Sequence, residues 1–398
     1  MAHNLMQKYG LAKTRGFLPG SIPADAFENS YYTPWDNIAT NLHQLIASHT
    51  LSEAIADLPL LSTKSLGAEP EWQRAYVVLS CMVQAVVWAS REQPTECVPP
   101  QISEPYLEVC QKLGMQQILS YAGLCMWNWK PYPGETEHEH GFYDLSQLTS
   151  LVSFTGTRGE DAFNHVPVLI EAEGGVLVFE LLQALDHADA GDVVAVSAAL
   201  DKTAQVFERM TAHLPKLYGS LDANHFYHTL RPYLAGGKGA EDKGLPRGFV
   251  FQKRDGNTVE LKHTGVSAAQ SSLFPFLDLI LGIEHQGTIF QEMRRYMPRN
   301  HREFLTAVSE RASLRSFVDA QDPGSDVCRA FDGAVRQLRV WRSTHIAIVS
   351  KYVVRPARQS AGVNSEADFN DAKEDIKGTA GSALIPFLKQ SRDETRKL

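Results

Sequence analysis

The chain has 398 residues, 43% of them hydrophobic and 21% charged, so a folded core is expected and wholesale disorder is excluded. Thirty-eight Lys and Arg face 46 Asp and Glu, a formal charge of −8 that disfavours a generic nucleic-acid binder. Five widely spaced cysteines (Cys81, Cys97, Cys110, Cys125, Cys328) contain no CxxC pair, which excludes a zinc module or disulfide framework and fits a reducing compartment.

The opening MAHNLMQKYG lacks the apolar stretch of a signal peptide. Acids also interrupt the longest apolar runs, Glu180 within 176–185 and Asp278 within 273–283. Neither run approaches the ~20 residues that cross a bilayer. A soluble, cytoplasmic protein without membrane or nucleic-acid partners is the expectation.

A loop rich in Gly, Pro and Tyr (16–32) leads to a helix start, with Thr33 as N-cap and Pro34 in the first turn. Trp35, Ile38, Leu42, Leu45 and Ile46 then recur at helical spacing, and a longer helix is read over 71–90. Prolines at 94–100 place a boundary between about 93 and 105, dividing a small N-terminal α domain (1–104) from a larger helical domain (105–398). Further helices are read at 104–113, 115–128, 160–186, 191–214, 217–235, 266–284, 298–311 and 325–354. Residues 247–262 are the exception: Phe249, Phe251, Val259 and Leu261 alternate around Asp255-Gly256, a two-residue hairpin signal. Residues 234–248 and 355–382 read as loops, the second long enough to suggest a lid. The fold class is mainly α with a short β-hairpin.

Residues 335–354 are the informative stretch. Leu338, Trp341, Ile348 and Tyr352 form a helical stripe with His345 in its middle and Arg342 one turn earlier. A neutral imidazole on such a face can ligate a haem iron, and the nearby guanidinium can meet a haem propionate. Spacing alone leaves a buried histidine with a backbone partner as the commoner reading.

The segment RSTHIAIVSKYV resembles the proximal-histidine helix of the indoleamine 2,3-dioxygenase family, haem enzymes that open the indole ring of tryptophan. Further similar segments follow in the family's order: SYAGLCMWNWKP (120–131), HFYHTLRPYLAGGKG (225–239), SAAQSSLFPFLDLILGI (267–283), EMRRYMPRNHREFL (292–305) and GTAGSALIPFLKQSRDET (378–395). With RGFLP and PWDNIA near the start, the likeness spans nearly the whole chain.

The resemblance implies haem b as cofactor, with His345 as iron ligand and Arg342 at a propionate. It also implies Asp278 near the proximal side, there to fix the tautomer of His345 directly or through water, and Ser267 and Ala268 at the haem edge. On the substrate side it implies Phe226 as indole wall, Tyr121 and Phe163 as aromatic members of the distal pocket and Arg231 as the carboxylate anchor. Thr379 would meet the bound amino acid from a closing loop at 378–382. Phe226 and Arg231 are five positions apart, about 140° on a regular helix, so their cooperation needs a bend or long side chains.

The expected reaction inserts both atoms of dioxygen across the pyrrole double bond of L-tryptophan or a related indoleamine, giving N-formylkynurenine. Because the cofactor carries the oxygen chemistry, no catalytic side chain is singled out, and an electron donor keeps the haem ferrous. Action on another indole or aromatic, or non-catalytic dioxygen binding, are the alternatives. One position departs from the animal pattern: Pro167 stands where a distal serine is expected, in DAFNHVPVLIE, with His165 nearby and expected to face away.

Competing motifs are weak. His138, Glu139 and His140 lack HExxH spacing. The glycines at 236, 237 and 239 around Lys238 follow no strand that would suit a phosphate site. His225 and His228 could pair as ligands but are read as exposed.

Overall fold

The computed structural model describes residues 2–90, 93–138, 142–360, 378–379 and 383–395. Helices dominate them. Residue Thr33 begins a helix as expected (Thr33–Ala47), although Tyr32 and not Thr33 takes the cap position, and Pro34 sits in the first turn. The next long helix, Glu69–Trp88, buries almost every residue from Arg74 to Trp88, so it runs through the core. Arg74 is held there by Asp36, with Nη2 donating to Oδ1 at 2.9 Å.

The next helix is Pro100–Leu113, closed by Gly114, which is left-handed at φ +67°. One contiguous apolar cluster extends from Met6 through Tyr76, Tyr106 and Leu182 to Tyr352, so the core continues across the proline-rich segment at 94–100. Trp88 Nε1 and Gln84 Nε2 both donate to the carbonyl of Ala235, which ties the early helices to the loop beside Arg231.

Three long helices form the body. Arg158–Asp189 and Asp326–Val349 both pack against Val193–His213, and the shorter Leu273–Leu281 lies on the first of them. The expected hairpin is present as Phe249–Gln252 and Thr258–Leu261, with Phe249 opposite Leu261 and Phe251 opposite Val259. Its connection, however, spans Lys253–Asn257 rather than two residues. Asp255 Oδ1 accepts the Asn257 N–H at 2.9 Å and Gly256 takes φ +83°. Cys97–Val98 adds a parallel strand to this hairpin, and Lys130–Pro131 pairs with Leu148–Thr149, two pairings too short to read from sequence.

Several expected helices are broken. Residues 115–120 are not helical, and only Ala122–Met126 follows, as a wide π-turn. Residues 217–235 divide into Leu217–Ser220, Ala223–His225, a π-turn at Phe226–Leu230 and a tight turn at Arg231–Leu234. Residues 266–284 begin with a short turn (Ala268–Gln270) before the helix Leu273–Leu281. Past Val349 the chain continues through another π-turn, Ser350–Val354, into helix Arg355–Ser360, where a loop was expected. Residues 361–377 and 380–382 of that expected loop lie outside the described residues.

The N-terminal segment docks on the central helix where two glycines meet. Gly16 has φ +56°, and a Cβ on Gly175 would lie 2.5 Å from the backbone of Arg15. Replacing Gly175 with Ala should therefore destabilise the protein by about 1–3 kcal/mol, the usual consequence of overpacking. Urea denaturation would measure it; an unchanged midpoint would show that this contact is not tight in solution.

Candidate functional site

A cavity of about 1850 Å³ free of protein atoms, its mouth included, opens between the central helix, Asp326–Val349 with its continuation, and the C-terminal helix Leu384–Glu394. Its wall is mostly apolar. The lining contains ten of the sequence-predicted residues: Tyr121, Phe163, Phe226, Arg231, Ser267, Ala268, Asp278, Arg342, His345 and Thr379. They come from six separate stretches of chain.

The central helix starts because Thr157 accepts the Glu160 N–H at 3.2 Å, while the buried Glu160 carboxylate accepts the N–H groups of Phe154 (2.7 Å) and Thr155 (2.6 Å). From that start, Phe163, Val166, Pro167 and Ile170 fall at three- and four-residue intervals on the cavity face. His165 lies off it, with Nε2 3.3 Å from Ser150 Oγ, and burial lowers its pKa to about 4. The π-turn resolves the spacing of Phe226 and Arg231. The Arg231 N–H donates to the Phe226 carbonyl, five residues back, so the two stack on one side of the turn. Phe226 packs on Phe163 at 4.7 Å between ring centroids and meets Tyr352 edge-on at 6.2 Å. The Arg231 guanidinium lies over the Tyr227 ring at 5.2 Å, and burial lowers its pKa.

His345 is the only imidazole among the described cavity-lining residues. Its ring stacks on Trp341, 5.3 Å between centroids at 13°, and Trp341 stacks in turn on Phe274 at 4.1 Å. Part of the ring surface remains open because it faces the cavity. Burial lowers its pKa to about 4, so it is neutral at physiological pH and carries a lone pair, the state a metal ligand needs. A largely apolar cavity of this size with one neutral imidazole on its wall fits a haem.

Arg342 and Asp278 are bonded to each other rather than to His345. Arg342 Nη2 reaches Asp278 Oδ1 at 2.6 Å and Oδ2 at 2.8 Å, and Nη1 donates to the Ser391 carbonyl at 3.1 Å and to Thr395 Oγ1. Only the Nε–H of Arg342 stays outside these bonds. Asp278 makes no hydrogen bond to His345 among the described residues; its second partner is His285, whose Nε2 lies 2.9 Å from Oδ2. His285 Nδ1 lies 2.7 Å from Glu394 Oε2, and the ring stacks on Phe290 at 4.2 Å. Both nitrogens of His285 face carboxylates, so both must donate and the ring is an imidazolium. Burial lowers its pKa, but Asp278 and Glu394 outweigh that and raise it. Burial likewise pushes Asp278 up, and Arg342 and His285 bring it below the ordinary carboxylate range. Two cations and two anions thus fasten the C-terminal helix to the cavity wall. His285 and Glu394 were not found by sequence reading, since 109 residues separate them and no local pattern links them.

Tyr121 Oη (3.0 Å) and Ser271 Oγ (2.6 Å) both donate to Glu171 Oε1 just behind the wall, and burial raises the Glu171 pKa to about 7. Thr379 donates its hydroxyl to the Val266 carbonyl, and its own carbonyl accepts the Gly265 N–H at 2.9 Å. The glycines at 236 and 237 serve packing: a Cβ on Gly236 would lie 2.3 Å from the His263 carbonyl, and Lys238 pairs with Glu292 at 2.6 Å. His138 pairs with Asp144 at 2.9 Å, while Glu139 and His140 lie outside the described residues. His228 Nε2 lies 3.4 Å from Ser360 Oγ. No cluster of three metal-ligating side chains occurs among the described residues, no helix there is long and apolar enough to cross a membrane, and the five cysteines are unpaired.

A helical body enclosing an apolar pocket, with one neutral imidazole on its wall, suits a haem-binding enzyme. The family model for indoleamine 2,3-dioxygenase matches residues 5–398, and the chain belongs to that family of haem-dependent dioxygenases. It is 36% identical to a 6-hydroxytryptophan 2,3-dioxygenase of Fusarium equiseti, over 98% of this chain and 96% of the relative. It is 34% identical to an indoleamine 2,3-dioxygenase of Penicillium citrinum (98% and 88%) and 31% identical to indoleamine 2,3-dioxygenase 2 of Homo sapiens (98% and 94%). The chain is a haem-dependent oxidoreductase that uses dioxygen on an indole substrate.

The ion cluster predicts a pH effect. A histidine whose pKa is raised on folding contributes stability that is full below its unfolded value, 6.5, and is lost as pH rises through the folded value. The melting temperature of the wild type should therefore fall more steeply above pH 6.5 than that of His285→Gln. Parallel curves for the two proteins would show that His285 is not charged in the folded state.

Proposed function

We propose that the cavity holds haem b on His345 and that the enzyme cleaves the pyrrole ring of L-tryptophan, or a related indoleamine, to the N-formylkynurenine product. The observation that carries this reading is His345 itself: a neutral imidazole, held flat against Trp341, on the wall of a cavity that Arg231 also lines. When bound, the haem supplies the iron centre for dioxygen chemistry, kept ferrous by an electron donor; the chain supplies position and water exclusion.

In this reading Arg231 grips the substrate carboxylate, because a cation half-buried beside Phe226 strengthens its pairing with an anion in a low-dielectric site. Phe163 and Phe226, packed on each other, form one aromatic wall against which the indole lies and which fixes its plane. Tyr121 closes the far wall, with its proton committed to Glu171. Ser267 and Ala268 are small enough to admit the macrocycle edge. Arg342 offers a propionate its Nε–H, with its other donors held by Asp278 and the C-terminal helix. Asp278 acts on the cofactor side through Arg342. Thr379 borders the entry, and its hydroxyl turns to the substrate only by leaving the Val266 carbonyl. The first 104 residues cap the haem domain. At the place of a distal serine Pro167 has no side-chain donor, so the chain offers no hydroxyl there.

The relative that acts on 6-hydroxytryptophan favours a second reading, a hydroxylated tryptophan as substrate. Reduced protein, dioxygen and each amino acid in turn, with product mass as the readout, separates the two; absence of a ring-opened product from both would reject the reaction. His345→Ala should abolish the Soret band of reconstituted protein. Arg231→Ala should weaken anaerobic tryptophan binding at least about tenfold, the scale of a charged hydrogen bond, with the Soret band intact. Undiminished affinity in that variant would remove Arg231 as the anchor.

A further inference from the structure

Pro167 lies inside the continuous helix Arg158–Asp189, as its tenth residue, on the face that lines the cavity. Proline has no N–H, so the carbonyl of Phe163, four residues earlier, lacks the amide partner that a regular helix would give it. In an α-helix the bond from residue i to residue i+4 runs nearly parallel to the axis, on the side that both residues share. Phe163 and Pro167 both line the cavity, so the gap left by the missing bond is on the cavity side. The proline ring also presses against that carbonyl and tilts it away from the axis. Among the described residues no side chain, and no backbone group from another segment, donates to the Phe163 oxygen.

The consequence reverses the plain reading of Pro167 as the loss of a polar group. Serine would bring a hydroxyl and keep the helix bond closed. Proline brings no hydroxyl but opens a backbone acceptor at the same level of the wall, between Phe163 and the cavity. An indole has one polar group, the N–H, which only donates. Buried in this apolar pocket without an acceptor, that donor would be left unsatisfied and binding would weaken. Asn164 and His165, the nearby polar side chains of this helix, are both turned to Ser150 and do not line the cavity.

We propose that the Phe163 carbonyl, freed by Pro167, is the acceptor for the substrate's indole N–H and so a specificity determinant for an N–H-bearing ring. The proposal rests on the tryptophan reading above and adds to it a named partner for the ring nitrogen. Phe163 thereby has two roles on one residue: its ring packs on Phe226 and orients the indole plane, and its carbonyl sets which edge of the indole faces the helix. A ring of equal shape without the donor would leave the acceptor unmet.

Pro167→Ala is the decisive variant. Alanine restores an N–H at 167, which closes the helix bond on the Phe163 carbonyl and adds no polar side chain. Removal of an internal proline favours the helix, so the denaturation midpoint should rise, and that rise reports that the carbonyl has been capped. The ligand probes are L-tryptophan and its benzothiophene analogue, in which sulfur replaces the N–H. Both are titrated anaerobically into ferrous holoprotein and followed by the Soret band. Wild type should prefer tryptophan; in Pro167→Ala tryptophan affinity should fall about five- to tenfold, the worth of one hydrogen bond, while analogue affinity stays the same. If the two ligands weaken together, or the preference is unchanged in a stabilised variant, the carbonyl is not the acceptor. If wild type binds neither ligand, the tryptophan reading fails first, an outcome distinct from bound tryptophan with an unaltered preference.

Discussion

The proposed haem site depends on keeping one imidazole uncharged on an apolar wall. His345 is surrounded by the apolar stripe of its own helix and by the cavity, and burial holds its pKa near 4, well below physiological pH. A histidine that took up a proton there would lose its lone pair and its ability to bind iron. The stacking of His345 on Trp341 and of Trp341 on Phe274 fixes the ring without a hydrogen-bond partner from Asp278. The plane of the ring is set by aromatic packing, and the neutrality of the ring by exclusion of water.

A dry wall cannot tolerate stray charge, and the charged groups around the cavity are arranged accordingly. Asp278, Arg342, His285 and Glu394 form a closed cluster of two anions and two cations. Glu171 has a pKa raised to about 7, so near neutrality a large fraction of it carries its proton; Tyr121 and Ser271 both bond to one of its oxygens. Arg231 lies on the same wall with its guanidinium over the Tyr227 ring. Arg342, by contrast, has four of its five donors spent on Asp278 and the C-terminal helix. The same cluster ties the C-terminal helix to the cofactor side, which makes closure of the cavity an electrostatic matter as well as a packing one.

The regular helices supply the body, and the irregular turns supply much of the wall. All three π-turns contribute cavity residues: Leu124 and Cys125 from the first, Phe226 from the second, Tyr352 and Val353 from the third. A wide turn re-aims side chains that a regular helix would send elsewhere, as with Phe226 and Arg231. Pro167 is a fourth departure on the same wall, and it changes the backbone itself. Helix interiors therefore bear the load of packing, and the interruptions bear the geometry of the site.

Read alone, the sequence determined that the chain is mainly helical, that His345 and Arg342 share a helix beside an apolar stripe, and that one hairpin interrupts the pattern. These are consequences of short-range periodicity, because residues three and four apart meet on one face whatever else the chain does. The family likeness added the roster of residues that line the cavity. Tertiary structure alone decided where helices break, as at 115–120 and 226–230, since a π-turn is stabilised by its neighbours and has no periodic signature. It alone joined His285 to Glu394 and turned Asp278 toward Arg342, because these partners are far apart in the chain and meet only when the C-terminal helix docks. The direction of His165 and the side on which Pro167 opens the helix were likewise set by which face of one long helix the rest of the core left for the cavity.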